Sequence, residues 1–242
     1  MPTFPLGKTL SYYLGGYNFS GISNGYDSEL SIEALDATCF GPSLHKAQAP
    51  GLMEAKISTK GLYTNETDYP EQTVLLAALR AEVVGTVVLP GSGTTPAAGD
   101  EAELWISTGL TRKLGVAVDS LTTVDAEFSS QTGLHLGEAL TAETAFSGAP
   151  FSSTGYDQGG AGWSSTSRRY LVVLQVTAYT SGLAAVLVQT STDNSSWTTR
   201  GTFPAITGIG GYALALTTTL DRYIRIRDTG VATILPAFAL TY

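Results

Sequence analysis

Cysteine is nearly missing from this chain. Cys39 is the only one in 242 residues. A single thiol excludes an intramolecular disulfide and any cysteine-rich zinc centre, and it reads as a buried structural group. Histidine is almost as scarce, with only His45 and His135. Neither lies in a spacing where an acid orients a base, and G-x-S-x-G, H-E-x-x-H, P-loop and G-x-G-x-x-G motifs are all absent. Asp100, Glu101 and Glu103 cluster without the spacing of a calcium loop. The remaining acids scatter along strands without the paired arrangement of a glycosidase. The expectation is a protein that is not an enzyme and holds no metal or cofactor. Long apolar runs are lacking too. None reaches the roughly 18 residues of a membrane helix, and MPTFPLGKTL has no apolar core of a secretory signal. Neither a membrane contact nor a leader is expected.

Charge is sparse, at 14% of residues, and uneven. Residues 1–150 hold 17 acids against 7 bases, a net of −10, whereas residues 151–242 hold 4 against 6, a net of +2. An acidic first part lacks the clustered Lys and Arg that grip phosphate. It suits a surface past which nucleic acid moves without sticking, or a face kept for solubility.

What the chain has in plenty is alternation. Leu30, Ile32 and Ala34 share one face of a strand, with Glu29, Ser31 and Glu33 on the other. At Leu35 the phase slips by one, which predicts a bulge. Met53, Ala55, Ile57 and Thr59 oppose Glu54, Lys56, Ser58 and Lys60 in a second strand. Val124, Ala126 and Phe128 oppose Asp125 and Glu127 in a later one. Period 2 of this kind marks half-buried strands. Between the first two lies GPSLHKAQAPG, Gly41–Gly51, far longer than the about 2–5 residues of an ordinary hairpin loop. It carries Pro42, Leu44, His45, Lys46 and Pro50, with no chemistry of its own, so its expected job is subunit contact. One helix is predicted, Pro70–Glu82, with Val74, Leu75, Ala78 and Leu79 as its core stripe. Further strands are expected at Val83–Leu89, Ala102–Ser107 and Gly115–Asp119.

Ser152–Arg169 is rich in Gly and Ser and reads as a linker. After it come five short strands within 170–242 and no helix, the texture of a small antiparallel sandwich. Asp193-Asn194-Ser195-Ser196-Trp197 reads as a polar hairpin turn, and Arg225 and Arg227 share a strand face. The predicted fold is mainly β: a sandwich or barrel with one packed helix over 1–150, a linker over 151–169, and a second antiparallel β-sandwich over 170–242.

LDATCFGP (Leu35–Pro42), the long loop, PGLMEAKISTKGLY (Pro50–Tyr63), the single helix and DAEFSSQTG (Asp125–Gly133) together resemble the tail tube, or major tail, proteins of long-tailed bacteriophages. The likeness covers residues 15–150. It implies a self-assembling virion subunit, located in the phage tail, that stacks in hexameric rings. The inner strands of such rings form a β-barrel channel for DNA ejection. The implied partners are further copies, the tape-measure and other tail proteins, and viral DNA that passes without specific binding. The family often carries a C-terminal immunoglobulin-like β domain, which matches 170–242. On this reading Glu29, Glu33, Glu54, Asp125 and Glu127 face the lumen. An alternative is a carbohydrate-binding or adhesion β-sandwich protein of a virion, with Trp163 or Trp197 stacking on a sugar ring.

Overall fold

A computed structural model describes residues 10–36, 48–64, 71–79, 81–91, 95–116, 119–130, 132–146, 151–159, 169–179, 185–228 and 232–241. Among these, the first strands in chain order are β1 (Ser11–Leu14), β2 (Tyr17–Asn18), β3 (Ser23–Asp36) and β4 (Gln48–Leu62), followed by helix α1 (Glu71–Ala78). Next come β5 (Val83–Leu89), β6 (Glu101–Ser107), β7 (Gly109–Gly115), β8 (Thr123–Ser130), β9 (Leu134–Ala139) and β10 (Thr144–Phe146). The chain continues through β11 (Phe151–Ser152), β12 (Tyr156–Asp157), β13 (Arg169–Tyr179), β14 (Val186–Ser191) and β15 (Thr198–Thr202). It ends with β16 (Gly210–Leu216), β17 (Tyr223–Asp228) and β18 (Ala232–Thr241). The architecture is mainly antiparallel β with one short helix, as the alternating pattern predicts, but it is not a closed barrel.

Three sheets account for the strands. A nine-stranded sheet runs β16-β13-β18-β9-β6-β5-β1-β2, with β10 also on β18. A four-stranded sheet runs β3-β4-β8-β7, and a third runs β11-β17-β14-β15 with β12 on β17. The large sheet is the spine, and its two flanks carry different partners. Tyr12, Leu14, Val87, Trp105 and Leu134 from one flank pack with Ala55, Ile57, Val124, Ala126 and Phe128 of the four-stranded sheet and with Val74 and Leu75 of α1. Trp105 is fully buried there, with Tyr12, Tyr26 and Phe128 rings 6.1–6.4 Å away. It lies across Gly85, its cross-strand neighbour, where any Cβ would stand 2.1 Å from the indole. From the other flank Tyr170, Val172, Leu174 and Val176 pack with Val186, Val188, Ile224 and Ile226 of the third sheet.

The large sheet also curls, so that its opposite face meets itself. Leu171 and Val173 of β13 join Tyr13, Val84, Val88, Ala102 and Leu104 in a third core. The seam is closed by a side chain in place of a strand ladder. Gln175 is fully buried. Its Oε1 accepts from the Gly16 N–H at 2.8 Å, and its Nε2 donates to the Val84 carbonyl at 3.2 Å and to Thr86 Oγ1 at 3.0 Å. Backbones come close enough here to need glycine. A Cβ on Gly16, whose φ is +84°, would lie 2.4 Å from the Gly210 nitrogen, and one on Gly211 would lie 2.8 Å from Val84 Cβ.

Several expectations change at this point. The sheet crosses the boundary expected at residue 150: β18 pairs with β9 through Ala237↔Ala139 to Ala239↔Gly137, and with β10. Within the expected linker, Phe151–Ser152 and Tyr156–Asp157 are strands on β17. Gly and Ser content signals a lack of apolar pattern, and short edge strands held by backbone bonds show none. The helix ends at Ala78, and Leu79, expected in the core, is 49% exposed. The strand expected at Gly115–Asp119 is instead Gly109–Gly115, whose polar centre Thr111-Arg112-Lys113 hides its alternation. β3 shifts register between Ile32 and Ala34, beside the phase slip read from the sequence.

Replacing Gln175 with leucine strands the Gly16 N–H in the seam. The expected cost is about 1–3 kcal/mol, read as a lower midpoint in urea unfolding, with Gly211→Ala destabilising by a similar amount through overpacking. A fragment of residues 164–242 should fail to fold by circular dichroism, since it keeps Leu171, Val173 and Gln175 but loses Tyr13, Val84, Val88, Ala102 and Leu104 of their core and the Gly16, Val84 and Thr86 partners of the amide.

Candidate assembly surface

The three strands singled out for their acidic faces are neighbours. β4 lies between β3 and β8, and β7 completes the sheet. Register places Glu29, Lys56 and Ser129 in one row, Asp27, Ser58, Glu127 and Thr111 in the next, and then Gly25, Lys60, Asp125 and Lys113. Glu54 sits opposite Ser31. Side chains directly opposite point to the same face of a sheet, so Glu29, Glu54, Asp125 and Glu127 share one face. Glu33 is exposed within the bulge, off the regular register. The reverse face holds Ala55, Ile57, Ala126 and Phe128, all buried. Period 2 therefore does the sorting: one set of side chains anchors the sheet to the spine, and the other is left bare.

That bare face is less acidic than the whole-chain count implies. Asp27, Glu29, Glu54, Asp125 and Glu127 are interleaved with Lys56, Lys60 and Lys113. Lys56 Nζ lies 2.6 Å from Glu127 Oε1, and this carboxylate, through its hydrogen bond and its charge, raises the lysine pKa. Both groups are about half exposed, so the pair organises the face more than it stabilises the fold. A shallow recess over these residues is lined by Glu54, Lys56, Gly109, Thr111, Glu127 and Ser129.

The edges of this sheet matter as much as its face. Among the described residues β3 pairs only with β4, and β7 only with β8, so neither outer edge carries a further strand there; α1 lies near β7. β8 leaves β4 at Ala55, while β3 and β4 run on together to Asp36↔Gln48. The result is a two-stranded arm. Leu30 and Ile32, expected against the core, are 46% and 58% exposed on it, because no layer extends that far. Pro50 falls within β4 opposite Ala34, so Gln48–Gly51, the end of the stretch expected as a loop, is strand. Pro42, Leu44, His45 and Lys46 lie outside the described residues, as do Cys39 and Trp163. The open edges and the overhang were not read from the sequence. The signal for the overhang was the unequal length of the alternating segments, 14 and 15 residues in β3 and β4 against 8 in β8.

Other residues weighed for chemistry have structural surroundings. His135 is buried beside Leu104, and burial lowers its pKa. Asp193 accepts from the Ser195 and Ser196 N–H groups at 2.9 and 2.8 Å and from Ser191 Oγ at 2.8 Å, which holds its carboxyl well below the usual carboxylate range. These bonds close the hairpin turn around Asn194, at φ +59°. Among the described residues no group of three or more His, Cys, Asp or Glu converges as a metal site would.

No protein-family model matches the chain, and no curated protein does. Among solved structures, the Dit protein of phage SPP1, described as a hub of the adsorption apparatus in phages infecting Gram-positive hosts, aligns over 96% of this chain and 99% of its own, at 11% identity and a TM-score of 0.34. A chain of the phage P2 baseplate in its activated conformation aligns over 96% of this chain and 97% of its own, at 10% identity and a TM-score of 0.32.

If the polar face bears on nothing within the subunit, reversing its charges should leave the fold intact. Glu29→Lys, Glu33→Lys and Glu127→Lys together are expected to shift stability by less than about 0.5 kcal/mol each. Thermal unfolding followed by circular dichroism checks this, and a large loss of cooperativity would show the face to be packed.

Proposed function

We propose that this chain is a structural subunit of a bacteriophage tail that assembles with copies of itself into a ring, with the β3-β4-β8-β7 sheet as the inner wall. The observation that carries the reading is the state of that sheet. One face is anchored to the spine, the other is polar and bare, and both edges end in unpaired strands. A long open edge is a template for another strand, and monomeric proteins ordinarily blunt or cover it. Joining the β3 edge of one copy to the β7 edge of the next satisfies both. The contact is head to tail, and repeated rotation closes it into a ring. Closure turns a set of small sheets into a barrel without edges.

In such a barrel the face rich in Glu29, Glu54, Asp125 and Glu127 lines the channel. Its acids outnumber the three lysines, so the average potential repels a phosphate backbone while the interleaved lysines keep the wall from strong self-repulsion. The arm formed by β3 and β4 beyond Ala55 extends along the strand direction, suited to reach a neighbouring ring. This is the tail-tube role: hexameric rings stacked into a conduit for DNA during ejection, working with a tape-measure protein and other tail components, with no catalysis.

Negative-stain microscopy of the purified protein should show rings or tubes with a central channel. Leu30→Lys with Ile32→Lys, both exposed in the isolated subunit, should leave a folded monomer by light scattering. Wild-type protein that stays monomeric at high concentration, with its fold intact, would sink the proposal. Given assembled tubes, Glu29→Lys, Glu33→Lys and Glu127→Lys in the intact phage should slow DNA release, more strongly at low salt, where screening is weakest.

A further inference from the structure

The outer face of the third sheet carries positive charge that no ion pair neutralises among the described residues. Ile224 and Ile226 of β17 point into the core, so Tyr223, Arg225 and Arg227 point away from it. Two neighbouring arginines are paired. Arg200 reaches Asp221 at 2.7 Å, and Arg222 grips Asp157 with Nε and Nη2 at 2.8 and 2.7 Å. Arg225 and Arg227 make no ion pair among the described residues.

Arg225 is nonetheless held in place. Its Nε and Nη2 both donate to Gln189 Oε1, at 3.0 and 2.8 Å, and its guanidinium lies 4.0 Å from the centre of the Trp197 ring. Gln189 is itself fixed, donating from Nε2 to Thr199 Oγ1 at 3.2 Å. An amide oxygen and an indole face orient a cation without cancelling it. Arg227 stands two residues along the same strand face, about 7 Å on; the burial of Arg225, and then the charge of Arg227, lower the Arg225 pKa. Two like charges half-sunk on one rigid face are unfavourable in the free protein. They become favourable when an anion bridges them.

We propose that this face binds an acidic glycan, one whose sugars bear carboxylate or phosphate groups, with Arg225 and Arg227 gripping the acid groups. A guanidinium fork matches a carboxylate or phosphate bidentately. Trp197 and Tyr223, both partly buried, flank the forks; Arg225 covers one face of the indole and Arg222 one face of the phenol, so a sugar ring would stack on the C–H edge or the opposite face. The binding face is separate from the sheet proposed as the channel wall, so it does not depend on assembly. Arg200 and Arg222, by contrast, are spent on internal pairs.

The test uses the full chain and isothermal titration with four probes: polygalacturonate as the carboxylate glycan, poly(glycerol phosphate) as the phosphate polymer, neutral dextran, and poly-glutamate. The expected result is binding of one or both acidic probes, no binding of dextran, and weaker binding of poly-glutamate. Arg225→Gln with Arg227→Gln should weaken it by about tenfold or more, whereas Lys113→Gln, which removes a cation from the four-stranded sheet, should change it little. Arg227→Gln alone is the safeguard against misfolding, because that side chain holds no partner among the described residues, and it should retain a measurable part of the loss. Unchanged affinity in these variants overturns the proposal. So does poly-glutamate binding as tightly as the glycans, which would assign the face to an acidic protein, or the absence of binding to either acidic probe at low salt.

Discussion

The protein depends on one buried amide. Gln175 bonds to Gly16 in the β1–β2 turn and to Val84 and Thr86 of β5, all separated from it by about ninety residues of chain or more. A polar side chain taken out of water costs stability unless each of its groups finds a partner, and here both ends of the amide do. The same bonds let the large sheet turn back on itself without a continuous ladder. Everything else hangs from that curled sheet. One flank presents Trp105 and Val87 to the four-stranded sheet, and the other presents Val172 and Leu174 to the third. Two sandwiches thus share a spine that belongs wholly to neither.

Such sharing explains why the sequence divides more cleanly than the structure. Alternation along a strand is a local property, and it placed Glu29, Glu54, Asp125 and Glu127 on a common kind of face before any pairing was known. It also located the register shift between Ile32 and Ala34. Pairing partners are not local. Nothing in AFALTY announces that it lies beside LHLGEA, a hundred residues earlier. Gln175 interrupts the apolar run YLVVLQVTAY in a way that strand pattern alone reads as a surface position, whereas it is fully buried.

The candidate site was legible in its face and illegible in its edges. Which side chains are bare follows from period 2. Which strands end a sheet depends on what pairs with what, and so does the exposure of Leu30 and Ile32, which a strand-by-strand reading assigns to the core. Arg225 and Arg227 show the same limit from another side. Their shared face is visible in RYIRIRD, but that Arg222 has its carboxylate in Asp157, 65 residues away, and that they have none among the described residues, is a fact of tertiary contact.

The position of β18 has a consequence for how the protein folds. This strand lies inside the large sheet, between β13 and β9, and also supports β10. Its partner β9 lies about a hundred residues earlier in the chain, so the spine stays split until both segments have been made and have met. Sheets built from such distant pairings form slowly, and a chain still waiting for the pairing exposes strand edges meanwhile. β18 therefore acts as a keystone: a chain cut before it lacks the strand that joins its two sandwiches, and each is left with an open seam.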